Sequence, residues 1–222
     1  LGALQVQNAG FSACYISGAA VSNSLGLLDE GYVSREDMLW IVQKILKVAD
    51  LPLVVDCDTG LMPNFQIQEL WKIRQTTDEK AFIDFCLRRP NPLIDDAFAV
   101  PETVKALERV GVAAIHIEDQ DWCWKRCGHL DGKWLVSQEE MVGKIQKACR
   151  ARKNPDFMII ARTDARGIEK EGFEGAVRRA LAYKEAGADA IFPEALESLE
   201  EFREFRVRVP DILLMANLAE QG

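Results

Sequence analysis

Six short apolar runs recur along the chain, and they constrain its fold more than any other feature. They lie at residues 12–16, 52–55, 112–117, 157–161, 188–192 and 212–216. Each is roughly 4–6 residues long and lacks polar alternation, which is typical of strands buried on both faces. Helix-like patterns separate these runs. Strands that alternate with helices form parallel sheets with right-handed crossovers, so the sequence predicts an α/β fold.

Helix start and stop signals support this alternation. Ser34 and Ser137 each begin a pattern typical of a capping box, and an apolar face follows each of them. A third helical pattern ends near Gly187, a residue type that favours helix C-termini. We therefore expect helices after the first, third and fourth predicted strands.

Polar residues stand where the apolar runs end. The chain carries them at Ser17, Asp56, Glu118, Arg162, Glu194 and Asn217. Polar groups at the carboxyl ends of successive parallel strands are typical of the active face of a (β/α)8 barrel of the TIM type. A doubly wound sheet would place its ligand near one switch point instead. We therefore predict one barrel-type domain over 1–222, incomplete at both ends, with about strands two to seven of eight.

Residues 61–97 interrupt this rhythm. The segment mixes tryptophan, proline and charged residues, and the expected helical pattern resumes only near Pro101. We interpret 61–97 as an insertion within the barrel domain, either a lid, an added helical element or a sequence artefact.

Composition excludes several classes of protein. The net charge of −8 argues against a nucleic-acid binder, which needs a basic surface. No apolar run approaches the length of a bilayer span, so we expect no membrane segment. The six cysteines include no C-x-x-C pair and the chain has only two histidines, which favours a reducing compartment over a zinc site or a disulfide scaffold. We expect a cytoplasmic protein, or one of the mitochondrial matrix if the source is eukaryotic.

Asp56 and Asp58 are candidate metal ligands. They stand two residues apart near a strand end, which directs both carboxylates to the same side. Carboxylates in a chain with few histidines suit a hard cation, Mg²⁺ before Mn²⁺. Glu118 ends the next strand and can join them through water. A solvated D-x-D turn is the alternative, and spacing does not decide between the two.

The segment KRCGH, residues 125–129, is the densest in reactive groups. Neighbouring cations lower the pKa of a thiol, and Cys127 has Lys125, Arg126 and His129 around it. Gly128 permits close approach of the backbone to a substrate. The alternative is a basic surface loop with an incidental cysteine.

Arg162 ends a strand at a depth where an unpaired charge is costly. It either clamps a substrate carboxylate or forms an internal ion pair with Glu194 or Asp164. Glu194 in turn either binds substrate, orients Arg162 or serves as a carboxylate at a helix N-terminus.

The segment YISGAA offers a further set of polar groups. Tyr15 and Ser17 provide hydroxyls, and the N–H groups of Gly18 and Ala19 are a candidate anion site. Tyr15 is alternatively a packing residue of the barrel. His116, inside a strand, is better interpreted as a hydrogen-bonded core histidine.

These segments together resemble a known family. YISGAAVSNSLGLLDEG, DCDTG, GVAAIHIEDQ, KRCGHLDGKWLVSQEEMV, PDFMIIARTDA, AGADAIFPEAL and LLMANLAEQG follow in the order found in the isocitrate lyase/phosphoenolpyruvate mutase superfamily. The resemblance spans nearly the whole chain except 61–97. KRCGH is specific to the lyase side, and FPEAL and HLDGK favour members that act on 2-methylisocitrate.

The resemblance implies a fold, an assembly and a reaction. It implies a barrel whose last helix is swapped between subunits of a homotetramer, a Mg²⁺ cofactor, and a small di- or tricarboxylate substrate. The reaction would be cleavage of 2-methylisocitrate to pyruvate and succinate. The alternatives are a related oxaloacetate hydrolase or decarboxylase, an isocitrate lyase-like enzyme, and an inactive fragment or pseudoenzyme.

The resemblance also implies a role for each candidate residue. Asp56 and Asp58 would hold Mg²⁺, with Glu118 in its outer shell. Cys127 would protonate the succinate carbanion, with Lys125 and His129 tuning the thiol, and Tyr15 or a neighbour would take the hydroxyl proton. The remaining contacts to substrate would come from Ser17, Gly18, Ala19, Gly128, Arg162, Glu194 and Asn217.

Overall fold

A computed structural model describes residues 1–88, 98–128, 130 and 132–218. The strands are β1 (Cys14–Ile16), β2 (Leu53–Asp56), β3 (Ala114–Glu118), β4 (Met158–Thr163), β5 (Ala190–Pro193) and β6 (Leu213–Leu214). The helices are α1 (Gly2–Asn8), α2 (Gly18–Ser24), α3 (Arg35–Leu46), α4 (Asn64–Thr76), α5 (Glu79–Leu87), α6 (Val100–Arg109), α7 (Gln138–Ala151), α8 (Gly172–Glu185) and α9 (Leu199–Arg208). Short 3-10 turns cover Trp122–Trp124 and Ala165–Gly167. All six predicted strands are thus present, each within two residues of where the sequence predicts it to begin.

The strands form one parallel sheet in the order β1-β2-β3-β4-β5-β6. Every strand pairs with its successor in the chain, and the order never reverses. A doubly wound sheet requires a reversal point, so sequential order excludes that alternative for the described residues. The fold is α/β with a curled parallel sheet, consistent with part of a TIM-type barrel.

The helix signals in the sequence act as predicted. Ser34 caps α3 through a reciprocal capping box with Asp37. The Ser137 hydroxyl accepts a hydrogen bond from the Glu140 N–H at the start of α7. Gly187 follows α8 with φ of +106°, a conformation that glycine adopts without a Cβ penalty. These caps fix where the helices begin and end beside the sheet.

Strand alternation divides the core into two layers. Leu53, Val55, Ile115 and Ile159 point toward the helices and join the large apolar cluster that includes Met38. The intervening residues face the opposite, inner side of the sheet, where a second cluster contains Ala114, Ile160, Ala190 and Phe192. Because side chains alternate along a strand, the polar residues near the strand ends also fall on the inner face.

The segment after β2 contains two helices, α4 and α5. Apolar side chains of α4, Ile67 and Leu70, pack with Met62 and Trp122 in a separate small cluster. This contact joins α4 to the segment that follows β3. The predicted insertion at 61–97 falls partly on residues 89–97, which lie outside the described residues, and it stays a prediction.

No helix within the described ranges is both long and apolar enough to cross a bilayer.

Candidate active site

The inner face of the sheet carries the predicted site residues of five successive strands. The residues concerned are Tyr15, Asp56, Glu118, Arg162 and Glu194, and all but Tyr15 are buried. Parallel pairing sets their spacing, because Asp56 lies beside His116 and Glu118 lies beside Arg162 in the register. The carboxyl ends of the strands therefore bring together residues that are more than a hundred positions apart in the sequence.

Asp56, Asp58 and Glu118 form a compact carboxylate cluster. Each offers an oxygen, and these oxygens all lie within 4.8 Å of one another. The loop after β2 fixes the arrangement: the Asp58 N–H donates to Asp56 Oδ1 (3.0 Å), and the Glu118 N–H donates to the Asp58 carbonyl (2.8 Å). The spacing-based hypothesis of a solvated turn is therefore wrong for these residues, because the loop is buried.

Burial perturbs the charge states of the cluster. Burial of the charged form outweighs the attraction of Lys125 and raises the pKa of Asp58 to about 6. Burial also raises the pKa of Glu118 well above its usual range. Burial opposes ionisation of Asp56 as well, yet His116 and Arg162 lower its pKa to about 2. Without a cation, burial therefore opposes full ionisation of Asp58 and Glu118, and a bound cation would favour their charged forms.

Lys125 lies inside this cluster. Its Nζ is 3.0 Å from Asp58 Oδ1, 3.2 Å from Asp29 Oδ1 and 3.8 Å from Glu118 Oε1. Lys125 stands two residues before Cys127 in the sequence, and its ammonium is paired with carboxylates in the structure. Asp29, which the sequence analysis did not single out, joins the cluster from the loop between α2 and α3. Its only signal was its place in the LGLLDEG segment of the family resemblance.

Two side chains from neighbouring helices hold the loop after β2. The Thr103 hydroxyl of α6 donates to the Gly60 carbonyl (2.8 Å), and Lys144 Nζ of α7 donates to the Thr59 carbonyl (3.3 Å). Asp58 itself has φ of +46°, a left-handed conformation that costs free energy in a residue with a Cβ. These hydrogen bonds help to maintain the conformation that presents Asp58 to the cluster.

Tyr15 contacts the cluster from β1. Its hydroxyl donates to Asp56 Oδ2 (3.3 Å) and lies 2.8 Å from His116 Nε2. Partial desolvation of the hydroxyl and the Asp56 charge raise the pKa of Tyr15, so the phenol stays neutral near pH 7. His116 is a buried, hydrogen-bonded histidine, as its position inside a strand predicted.

Arg162 occupies the centre of the inner face. It donates twice to Asp164, from Nε (2.9 Å) and Nη2 (3.0 Å), and its Nη1 lies 3.4 Å from Glu194 Oε2. The predicted internal ion pair is therefore present with both candidate partners. Asn217 Nδ2 donates to Glu194 Oε1 (3.2 Å), which extends the network to the segment after β6. Because Asp164 fixes the guanidinium plane, the orientation of Arg162 is preset.

The N-terminus of α2 contributes three predicted residues. Ser17 is the N-cap, and its hydroxyl accepts from the Ala20 N–H (3.3 Å). The Gly18 N–H donates to Asp56 Oδ2 (3.0 Å), so this predicted anion-binding group already binds a carboxylate of the protein. A Cβ at Gly18 would lie 2.9 Å from the same oxygen, which explains why glycine fits here. Ala19 lies beside Ser17 along the wall of a cavity.

The KRCGH loop lies over the inner face. The Gln120 side chain holds its first half, because Oε1 accepts from the Arg126 N–H (3.0 Å) and Nε2 donates to the Arg126 carbonyl (3.0 Å). Gly128 is packed so closely that a Cβ there would lie 2.5 Å from Arg162 Nη2. The predicted tuning residue His129 lies outside the described residues.

One cavity of about 350 Å³ unites these groups. Its lining includes Tyr15, Ser17, Ala19, Asp56, Glu118, Cys127, Gly128, Arg162, Glu194 and Asn217. The structure therefore brings a thiol, a carboxylate cluster and a guanidinium to a single small chamber. A chamber of this size fits a small polycarboxylate.

The carboxylate cluster fits a hard divalent cation. Its donors are oxygens, as Mg²⁺ and Mn²⁺ prefer. Glu118 Oε1 is buried and forms no hydrogen bond with any residue that the structure describes. A buried carboxylate oxygen without a hydrogen-bond donor is costly, and a metal or its water ligand would satisfy it.

The chain is similar to several known proteins. The profile of the family described as phosphoenolpyruvate phosphomutase matches residues 1–75 and 94–221. A 2-methylisocitrate lyase of Aeropyrum pernix is 45% identical over 222 residues, which cover 99% of this chain and 59% of that protein. A crystal structure of 2,3-dimethylmalate lyase superposes with a TM-score of 0.79 at 32% identity, covering 100% of this chain and 63% of the other.

A third similar protein is named for a different activity. A structure of oxaloacetate acetylhydrolase with the inhibitor 3,3-difluorooxalacetate has a TM-score of 0.78 at 29% identity, and the match covers 99% of this chain and 64% of the other. The chain thus spans about three fifths of the length of the relatives it matches. The family match leaves out residues 76–93, part of the segment that the sequence analysis interpreted as an insertion. Because the profile matches most of the chain and a relative is 45% identical over nearly all of it, the chain belongs to the phosphoenolpyruvate phosphomutase family.

Proposed function

We propose that this chain carries the active site of a Mg²⁺-dependent carbon–carbon lyase that cleaves 2-methylisocitrate to pyruvate and succinate. The observation that carries the proposal is the single chamber lined by Asp56, Glu118, Cys127 and Arg162. A thiol for proton transfer and a guanidinium for a carboxylate face the same space as the metal-type cluster. The identity to a 2-methylisocitrate lyase supports the choice of substrate.

Asp56 and Asp58 would hold the cation directly, and Glu118 would hold it through water. Mg²⁺ is the preferred ion, and Mn²⁺ is the alternative. When bound, the ion would stabilise negative charge on the oxygens of the keto-acid half of the substrate. The Lys125 ammonium and the cation are both positive, so they would compete for the Asp58 carboxylate. Asp29 gives Lys125 a second partner in that case.

Arg162 would bind a substrate carboxylate. Asp164 already fixes its guanidinium plane, so binding requires little reorganisation. Glu194 and Asn217 are hydrogen-bonded to each other and would contact the remaining carboxylate or hydroxyl. Ser17, Gly18 and Ala19 would contact the keto-acid half from the start of α2, with Gly128 closing the opposite side.

Cleavage moves two protons. The substrate hydroxyl loses one as the carbon–carbon bond breaks and pyruvate forms, and the succinate carbanion gains one from the Cys127 thiol. Tyr15 or a neighbour would take the hydroxyl proton. The Tyr15 phenol is neutral, so it would accept that proton while passing its own to Asp56 Oδ2 (3.3 Å) or to His116 Nε2 (2.8 Å), whose pKa burial lowers. Lys125 would act mainly through the charge of the carboxylate cluster, while a role of His129 in tuning the thiol stays a prediction.

A substrate panel tests the proposal. The purified protein is incubated with Mg²⁺ and 2-methylisocitrate, isocitrate or oxaloacetate, and pyruvate, glyoxylate, oxalate and succinate are measured. We expect pyruvate and succinate from 2-methylisocitrate. Oxalate from oxaloacetate would favour the runner-up activity, which the likeness to oxaloacetate acetylhydrolase motivates. Binding of Mg²⁺, measured by calorimetry, without turnover of any substrate would favour an inactive relative.

A cysteine substitution tests the role of the thiol. Cys127→Ser should lower turnover by at least about a hundredfold, because a hydroxyl is a far weaker acid than a thiol. Mg²⁺ affinity, measured by calorimetry, should not change, because Cys127 is not among the carboxylate ligands. Cys149→Ser is the matched control, since Cys149 contacts the Gly187 carbonyl away from the chamber. Unchanged turnover in Cys127→Ser would remove the thiol from the mechanism.

Architecture and assembly are part of the same proposal. The six described strands would correspond to strands two to seven of an eight-stranded barrel in one domain, with an insertion within 61–97. The chain would assemble as a homotetramer with a swapped helix. It would be located in the cytoplasm, or in the mitochondrial matrix of a eukaryote. Light scattering after size exclusion tests the assembly, and a monomeric mass would contradict it.

A further inference from the structure

Lys133 is a buried lysine for which the proposed reaction has no role. It lies in the HLDGK segment after the KRCGH loop, and only 6% of its surface is exposed. Its Nζ donates to the Gly128 carbonyl (2.6 Å) and to Asp164 Oδ1 (3.2 Å). A buried ammonium is costly unless it is paired and hydrogen-bonded, and these two contacts satisfy that need.

The two partners of Lys133 belong to different parts of the site. Gly128 follows Cys127 directly, so a hydrogen bond to the Gly128 carbonyl also restrains the backbone that carries the thiol. Asp164 fixes the guanidinium plane of Arg162 through two hydrogen bonds. One ammonium therefore connects the loop that carries the proton donor to the pair that would bind the substrate carboxylate.

The surroundings confine the Lys133 ammonium. A Cβ placed at Gly167, in the turn after β4, would lie 3.3 Å from Lys133 Nζ. The backbone of that turn thus limits the space on a third side of the ammonium. These contacts restrain the Lys133 ammonium. Because it binds both the Gly128 carbonyl and the Asp164 carboxylate, it also restrains the distance between those two groups.

We propose that Lys133 is a positioning residue that fixes the Cys127–Gly128 backbone relative to Arg162. This inference rests on the proposed function for the roles of Cys127 and Arg162. The anchoring itself is a property of the protein without substrate or metal. It can therefore be measured separately from turnover.

Alkylation of Cys127 tests the anchoring. Each variant is treated with N-ethylmaleimide without substrate, and the rate of labelling at Cys127 is read from peptide masses. Lys133→Met should raise that rate about tenfold, equivalent to about 1.4 kcal/mol, because a hydrogen bond from a charged group is lost. Lys133→Arg keeps the charge and the donors but has little room beside Gly167, so it should restore the rate only in part.

Controls separate positioning from a general loss of stability. Lys105→Met removes an exposed lysine paired with Glu102 and should leave labelling unchanged. Circular dichroism establishes that each variant folds, and Lys133→Gln takes the place of the methionine variant if the latter does not. A rate of Cys127 labelling in the folded Met or Gln variant equal to wild type would overturn the proposal, whatever its melting temperature.

Turnover provides a second, independent readout. With 2-methylisocitrate, we expect Lys133→Met to lower kcat about tenfold and Lys133→Arg to recover part of it. Faster labelling of Cys127 in a protein that turns over no substrate would support the anchoring and contradict the proposed function. Normal kcat in Lys133→Met would overturn the positioning role in a protein that is otherwise active.

Discussion

Gly128→Ala tests how tightly the thiol loop packs on the substrate-binding arginine. An added Cβ would lie 2.5 Å from Arg162 Nη2 and 3.1 Å from Glu194 Cδ, whereas ordinary contact begins at 3.4 Å. Either the loop or Arg162 must therefore move by about 0.9 Å, the difference between 3.4 and 2.5 Å. Arg162 cannot yield cheaply, because it donates two hydrogen bonds to Asp164 and is paired with Glu194.

We expect Gly128→Ala to lower the rate of catalysis much more than the stability of the fold. A misplacement of about 1 Å in an active site can lower the rate about a hundredfold, which is about 2.7 kcal/mol of transition-state stabilisation. We expect kcat/KM for 2-methylisocitrate to fall by that factor in Gly128→Ala. The melting temperature should change by only a few degrees, since Gly128 is in a loop outside the main core.

Gly143→Ala is the matched control. Gly143 lies in α7, and a Cβ there meets nothing within 4 Å, so the same change should leave kcat/KM unaltered. It should stabilise the protein by about 0.5–1 kcal/mol, because alanine favours helices over glycine. Wild-type kcat/KM in Gly128→Ala would refute the packing argument and the position assigned to the loop.

Two further predictions concern stability and metal binding. Tyr183→Phe removes a buried hydroxyl that donates to Asp119 (2.8 Å), and it should lower the free energy of unfolding in urea by about 1.5–3 kcal/mol. Tyr32→Phe, whose hydroxyl has no hydrogen bond to any described residue, is its control, and equal losses in both would contradict the reasoning. Saturating Mg²⁺ at about 100 times its Kd should stabilise the wild type by about 2.7 kcal/mol, measured by thermal unfolding. Asp58→Asn should abolish most of that gain, and a full gain in this variant would exclude Asp58 as a ligand.

The strands and the polar residues that end them were predictable from sequence. Buried strands contain apolar runs, and a parallel sheet places their carboxyl ends together, so Asp56, Glu118 and Arg162 could be grouped without coordinates. Strand alternation even determines which of these side chains share a face. The family resemblance supplied the roles that residue types alone left open.

The partners of the charged groups were not predictable in the same way. Sequence proximity suggested that Lys125 tunes Cys127, but two residues along an irregular loop do not set a direction. The ammonium pairs with Asp58 and Asp29, because a buried charge is costly unless it is paired, and its tuning of Cys127 stays a prediction. Asp29 was missed because it follows no predicted strand.

The strand register of this sheet makes folding and chemistry depend on the same alignment. In β3, Ile115 and Ile117 pack against the helices, while His116 and Glu118 lie on the inner face of the sheet. A slip by one residue would exchange the two sets and bury a carboxylate among apolar side chains. The free energy of hydrophobic burial therefore disfavours folds in which β3 is shifted by one residue, even without substrate. Mutations that loosen the apolar layer should consequently be detected as losses of activity as well as of stability.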